Sequence, residues 1–298
     1  MSLPVDEAWL EGFLQQEKLP ARFRTLIHEV HLPIAARLAA LAHEHRGPLV
    51  VGLTGAQGSG KTTMGAVLGG LLRAVGLPTA VLSIDDFYLT HAERLALGQS
   101  VHPLLRTRGV PGTHDVPLAQ ATLRALSGTA AVPLPAFDKQ VDDRRDSALW
   151  PRFQAPAAVT LLEGWCVGAR AQTAAELAEP VNALERDEDA QGIWRGHVNR
   201  ALSGRYRSLF ALLDAQVMLQ APSFDVVYAW RLEQEHKLRA RTVAAGGDVS
   251  RVMDDAGVAR FIAHYERITR HVLAEMPARA DILVTLDAAR QPTGLRGA

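Results

Sequence analysis

Cysteine is nearly missing from this chain: one residue in 298, Cys166. That excludes an internal disulfide and a zinc site built from cysteines. Net charge is missing too, since 32 Lys and Arg offset 32 Asp and Glu. The balance argues against a general nucleic-acid or membrane-surface binder but leaves room for a local basic pocket. No apolar run approaches the roughly 20 residues that a membrane helix needs. The opening residues, MSLPVDEAWLEGF, place acids early and lack the basic-then-apolar order of a secretory signal. There is no internal repeat and no low-complexity tract. These absences together predict a cytoplasmic protein with neither a nucleic-acid nor a membrane partner. They say nothing of oligomeric state.

What is present reads as an ordinary globular balance, 48% hydrophobic and 21% charged. Five short apolar runs stand out: PLVVGLTG (48–55), TAVLSIDD (79–86), AVTLLEGW (158–165), AQVMLQAP (215–222) and ADILVTLD (280–287). Near-continuous apolar runs suit strands buried on both faces of a parallel sheet. Helical patterns fill the intervals, as in VARFIAHYERITRHVL, where Val258, Phe261, Ile262, Tyr265, Ile268 and Val272 form one stripe. Alternating strands and helices predict a doubly wound α/β sheet whose ligands sit at the carboxyl ends of the strands. Residues 1–45 are expected to be a helical extension, with Pro33 breaking the run. Residues 46–298 form the main domain. Segment 167–205 is long and polar, and its ERDEDAQG cluster is expected to be a solvated loop.

Chemistry enters at residues 53–63, LTGAQGSGKTT. Gly55, Gly58, Gly60, Lys61 and Thr62 satisfy G-x-x-x-x-G-K-[ST] directly after a strand and at the start of a helix. That pattern lets backbone amides from Gly55, Ala56, Gln57, Gly58, Ser59, Gly60, Thr62 and Thr63 curl around phosphates. Lys61 reaches the β/γ-phosphates, and the Thr62 hydroxyl can hold Mg²⁺. A nucleoside triphosphate is therefore expected. The second strand ends in Asp85 and Asp86, an adjacent pair that is costly unless cations compensate it. One of them can take a proton from an attacking hydroxyl while the other orients acceptor or metal. Glu163, ending the third strand, is the expected metal-side acid. Cys166 beside it reads as a small core residue.

An insert, 91–157, carries Arg108, Thr113, His114, Asp115, Lys139 and Arg144, a set suited to a small hydroxylated anion. Aromatic residues Phe87, Tyr88, Phe137 and Trp165 leave open a slot for a ring. A basic lid, 231–250, repeats Arg231, Lys237, Arg239 and Arg241 before a hinge at Gly246–Gly247. Closing such a lid would neutralise transition-state charge.

GAQGSGKTT, SIDDFYLT, RGVPGTHD, PAFDK, LLEGWCVG and WRLEQEHKLR, in this order, resemble the D-glycerate 3-kinases. These P-loop kinases are related to uridine kinase, phosphoribulokinase and pantothenate kinase. The resemblance covers most of residues 20–285. It implies a P-loop NTPase three-layer sandwich with a parallel five-stranded sheet in the order 2-3-1-4-5. It also implies ATP and Mg²⁺ as cofactors and a glycerate-like small-molecule acceptor. By the same likeness Asp85 maps onto the catalytic base, beside Lys61 and Arg239, with Thr62 and Glu163 on the metal. Asp86, Tyr88, Arg108, Thr113, His114, Asp115, Lys139 and Arg144 fall at acceptor-side positions. The alternatives are a nucleoside or pantothenate-type kinase, and a switch-type NTPase acting on a protein partner. The chain has no obvious NKxD segment to support the last.

Overall fold

A computed structural model describes residues 7–16, 19–21, 23–246, 248–249 and 252–298. Six strands form its main sheet: β1 (Leu49–Gly55), β2 (Thr79–Ser83), β3 (Val159–Gly164), β4 (Ala215–Gln220), β5 (Ile282–Leu286) and β6 (Pro292–Arg296). Their spatial order is β6-β5-β4-β1-β3-β2. The first five strands are mutually parallel, and β6 returns antiparallel along β5. The expected 2-3-1-4-5 order holds. The sixth strand was not expected, because QPTGLR is polar and glycine-containing, as an exposed edge strand tends to be. β1 and β3 are buried almost throughout, so both of their faces select apolar side chains.

The helices that position the site are α1 (Glu7–Gln16), α2 (Leu32–Glu44), α3 (Lys61–Ala74), α4 (His91–Ser100), α5 (Val116–Ala125), α6 (Ile193–Ala201), α7 (Phe224–Ala244) and α8 (Asp255–Glu275). The N-terminal helices share the core of the sheet. Leu10, Phe13, Ile27, Ile34 and Leu38 are buried in the same cluster as β1 and α3. A Cβ on Gly70 of α3 would meet Phe13 at 2.9 Å and Trp9 at 3.1 Å. Pro33 does not break this run. Its missing N–H falls in the first turn of α2, directly after a π-turn at Ile27–His31 that widens the helix ahead of it.

Segment 167–205 is largely helical, with turns at Ala174–Ala178 and Ala183–Glu188 before α6. The acids expected to be solvated are in part buried. Glu185 receives Arg267 at 2.6 and 2.7 Å, and Asp189 accepts from the backbone N–H groups of Trp194 and Arg195 and pairs with the Arg195 guanidinium. The partner of Glu185 lies 82 residues away, so a local charge pattern could not reveal it. Glu188, by contrast, makes an exposed pair with Arg260. Among the described residues no helix is long and apolar enough to cross a membrane.

Candidate active site

The turn from β1 into α3 is built around two left-handed glycines, Gly58 (φ 80°) and Gly60 (φ 92°). A Cβ on Gly58 would sit 2.8 Å from Cβ of Trp230 on α7, and one on Gly55 would sit 2.5 Å from Ser59 Oγ. Only glycine fits such a fold of the backbone. Gly60 caps α3 with no side-chain hydrogen bond, so the first amides of the helix are left for an anion. Buried Gln57 Oε1 and Ser59 Oγ have no partner. Lys61 makes no hydrogen bond or ion pair with any described residue. Its charge is free for phosphate.

Across the turn the Thr62 hydroxyl donates to Glu163 Oε1 at 3.0 Å. Glu163 is buried, and its other oxygen, Oε2, has no partner. A hydroxyl beside a buried, half-satisfied carboxylate at a phosphate loop fits a hard divalent cation that keeps most of its water and phosphate ligands. Among the described residues no cluster of three acids, histidines or cysteines forms a closed metal cage, and a Mg²⁺–nucleotide complex needs none.

The two aspartates follow β2 in a single 3₁₀ turn, Ile84–Phe87, where the Asp85 N–H donates to the Ser83 hydroxyl. Asp85 accepts from the Tyr88 hydroxyl and from Lys139 Nζ, each at 2.7 Å. Burial works to raise its pKa. Lys139 foremost, then Lys61 and the Tyr88 hydroxyl, overcome that effect and hold the carboxyl at about 2. Asp85 is therefore a fixed anion. Asp86 behaves differently. Burial and the Asp85 charge raise its pKa, against a hydrogen bond from the Phe137 N–H at 3.2 Å that ties the 137–144 ribbon to the strand end.

The insert packs as α4, α5 and two short ribbons around the same point. Tyr88 stacks on His114 with centroids 4.5 Å apart, and Phe137 meets Tyr88 edge-on at 5.2 Å. The cations expected to face an acceptor, Arg108, Lys139 and Arg144, are already paired. Arg108 bonds Asp142 and lies 5.6 Å over the Phe137 ring. Arg144 reaches Asp115 at 3.2 Å and the Tyr88 carbonyl at 3.0 Å. Asp115 also caps α5. Thr113 is buried and closes its own loop, donating to the Val110 carbonyl and accepting from the Gly109 N–H.

Buried His114 bonds Tyr206 through Nδ1 at 2.5 Å, while its Nε2 has no partner. Burial lowers its pKa to about 4, with Asp85 opposing. The ring is neutral at physiological pH. Cys166 is also fully buried, and burial drives its thiol far above the usual range.

Three features escaped the sequence reading. Arg94, wholly buried, donates to the carbonyls of Leu89, Arg106 and Asp142 and pairs with the Asp142 carboxylate at 2.9 Å. Tyr206 links His114 to the Gly112 N–H. A cavity of about 720 Å³ opens beside Ser59, Gly60 and Thr63, walled by Phe23, His31 and the β5–β6 turn. None of these had a local motif to mark it.

The segment expected to be a basic lid, 231–250, lies mostly on one long helix, α7, which ends at Ala244 shortly before left-handed Gly246; Gly247 and Ser250 lie outside the described residues. Trp230 and Gln234 are its residues beside the phosphate loop. Arg239 is exposed instead, lining a shallow cleft with His236 and Met253–Ala256. Arg231 is tied to buried Glu235 at 2.6 Å.

Against known proteins, the chain is 34% identical over 230 residues to the uncharacterized kinase mug58 of Schizosaccharomyces pombe, covering 73% of this chain and 78% of that one. It is 32% identical over 260 residues to the chloroplastic D-glycerate 3-kinase of Arabidopsis thaliana, 82% of this chain and 54% of that one. The chain thus spans about half the length of the Arabidopsis protein. The solved structure of D-glycerate 3-kinase from Cryptococcus neoformans superposes with a TM-score of 0.71 at 26% identity, covering 90% of this chain and 99% of that one. The chain belongs to the D-glycerate 3-kinase-like family of P-loop kinases. No family model matches it. This P-loop kinase is an ATP-dependent phosphotransferase that acts on an alcohol group of a small molecule.

Proposed function

We propose that this kinase transfers the γ-phosphate of ATP to a hydroxyl of D-glycerate, with Mg²⁺ held by Thr62 and Glu163. Bound there, Mg²⁺ would neutralise charge on the β- and γ-phosphates. The observation that carries the reading is the fixed Asp85 anion between Tyr88 and Lys139, at the strand end beside the phosphate loop. An ionised carboxylate orients an incoming hydroxyl and takes its proton late in a loose phosphoryl-transfer transition state, where a weak base suffices. Lys61 meets the phosphate charge, and Arg239 joins it when α7 closes. Asp86, Tyr88, Arg108, Thr113, His114, Asp115, Lys139 and Arg144 make up the acceptor wall. Because Arg108, Arg144 and Lys139 already hold carboxylates, an acceptor carboxylate enters by exchanging partners.

Two further observations support this choice. Relatives matching most of the chain are named D-glycerate 3-kinase. The aromatic residues that a nucleoside acceptor would use are all engaged, Phe137 under Arg108 and Trp165 edge-on to Tyr265 at 4.8 Å. The nucleoside of ATP itself has space in the cavity beside Thr63. ATP consumption measured with D-glycerate, glycerol, uridine and pantothenate tests the proposal. Glycerate should support stoichiometric turnover, and neutral glycerol should lower kcat/KM by on the order of 10²-fold, the worth of one lost buried ion pair. Faster turnover of uridine or pantothenate would replace glycerate as the acceptor.

A further inference from the structure

The loop ahead of α5, the acceptor loop of the proposed site, turns at Gly112 and there meets the end of α6. A cleft of about 300 Å³ there is lined by Gly112, His197, Arg200, Ala201, Gly204 and Arg205. His197 and Arg200 stand one helical turn apart. Arg205 follows a break at Gly204, whose φ of −104° and ψ of −107° leave the helical region. Between Asp189 and Asp214 the sequence contains no acid but four arginines. The guanidinium groups of Arg200 and Arg205 have no hydrogen-bond or carboxylate partner among the described residues. Arg94, Arg108 and Arg144 differ, each pairing with an aspartate.

The cleft is shaped as well as charged. Gly112 is left-handed (φ 106°), and a Cβ on it would press within 3.0 Å of His197 Nε2; nothing lies within 4 Å of a Cβ on Gly204. Burial, then the fields of Arg200 and Arg205, lower the proton affinity of His197. Such a field is relieved by a multiply charged anion, and planar guanidinium groups match phosphate oxygens two at a time. The cleft is also wired to the catalytic carboxylate. The Gly112 N–H donates to the Tyr206 hydroxyl at 3.0 Å, and that hydroxyl meets His114 Nδ1 at 2.5 Å. His114 stacks on Tyr88, which bonds Asp85.

We propose that this cleft is a regulatory site for a small phosphate-bearing anion, coupled through Gly112 and Tyr206 to the acceptor loop. The shared chemistry is a phosphate dianion, supplied either as free phosphate or as the phosphorylated product of the reaction. The test uses the full chain saturated with a non-hydrolysable ATP analogue, Mg²⁺ and the acceptor identified by turnover, so that the phosphate loop and acceptor site are filled. Inorganic phosphate and 3-phosphoglycerate are then titrated by calorimetry at low ionic strength. The native chain should bind one phosphate, and the double variant Arg200→Ala/Arg205→Ala should bind it at least tenfold more weakly. Both arginines are exposed, so the substitutions spare the core and leave basal turnover unchanged.

In steady-state assays, saturating phosphate should shift KM for the acceptor at least twofold in the native chain and leave the double variant unmoved. Absence of saturable binding, or equal binding by the two proteins, overturns the site. Binding with an unmoved KM overturns the coupling. Equal affinities for the two anions identify free phosphate as the occupant, and tenfold tighter 3-phosphoglycerate identifies the product. The calorimetric arm with inorganic phosphate depends only on whether the cleft binds, so it survives a change of acceptor.

Discussion

At the scale of single residues, the proposed site separates groups that would meet phosphate from groups that hold the proposed base. Lys61 makes no hydrogen bond or ion pair with a described residue, so Lys61→Ala should abolish phosphoryl transfer while the urea-unfolding midpoint stays within error. Near-normal turnover in a folded variant would sink the phosphate-loop reading. Asp85→Asn should lower kcat by roughly 10²–10⁴ with little change in nucleotide affinity, the range for a lost general base. If full activity survives, the base lies elsewhere, with Asp86 or Asp115 next. Arg108→Ala removes one cation from the acceptor wall. It should lower kcat/KM for glycerate by ~10²-fold and leave glycerol turnover nearly unchanged. The phosphate loop and both aspartates were legible in the sequence because each is a contiguous motif read against one neighbouring strand. Arg94, Asp142 and Tyr206 were not. Their meaning rests on partners as far as 92 residues away, and an arginine in a helix gives no sign that its side chain will be buried.

At the scale of elements, the five parallel strands announced themselves because burial on both faces leaves no room for polar alternation. The same logic hid β6, whose outer edge faces solvent and selects for nothing apolar. It also misread the 167–205 segment. A run of acids looks solvated unless one knows that α8 presents Arg267 to Glu185 from the other side. That buried pair clamps the segment to α8. Arg267→Ala should destabilise the chain by roughly 3–5 kcal/mol, because Glu185 would be left charged and buried. Arg267→Ala/Glu185→Ala together should recover part of that loss, and chemical denaturation of the three proteins decides it. The contact between Gly58 and Trp230 joins the phosphate loop to α7 in the same way. Gly58→Ala, strained by its φ and by a 2.8 Å approach, should weaken ATP binding by at least tenfold in a chain that still folds.

For the whole molecule, buried histidines set the acid limit, His264 among them, its pKa lowered chiefly by burial. His31, in the helical extension, and His114, in the acceptor loop, are both held at about 4, in each case chiefly by burial. The unfolded chain has its histidines near 6.5, so between pH 6.5 and 4 it binds protons that the folded chain refuses. Stability therefore falls as pH drops through that window, by up to ~3 kcal/mol for each histidine. Asp86, raised by burial, works in the opposite direction at the acid end, and Asp85 loses its own contribution only between about 3.8 and 2. Urea midpoints at pH 7, 6 and 5 should decline steadily, and His31→Gln should flatten the decline. A level profile in the native chain would contradict the assignment of buried neutral rings.

The single cysteine has a last consequence, one of labelling. Because Cys166 is fully buried with its thiol protonated, thiol-directed dyes have no native target on the folded kinase. An exposed position on α7 such as Leu238, half open to solvent, can be changed to cysteine without first stripping the chain of its own. A fluorophore placed there would report whether α7 moves when nucleotide binds, one signal per molecule against a silent background.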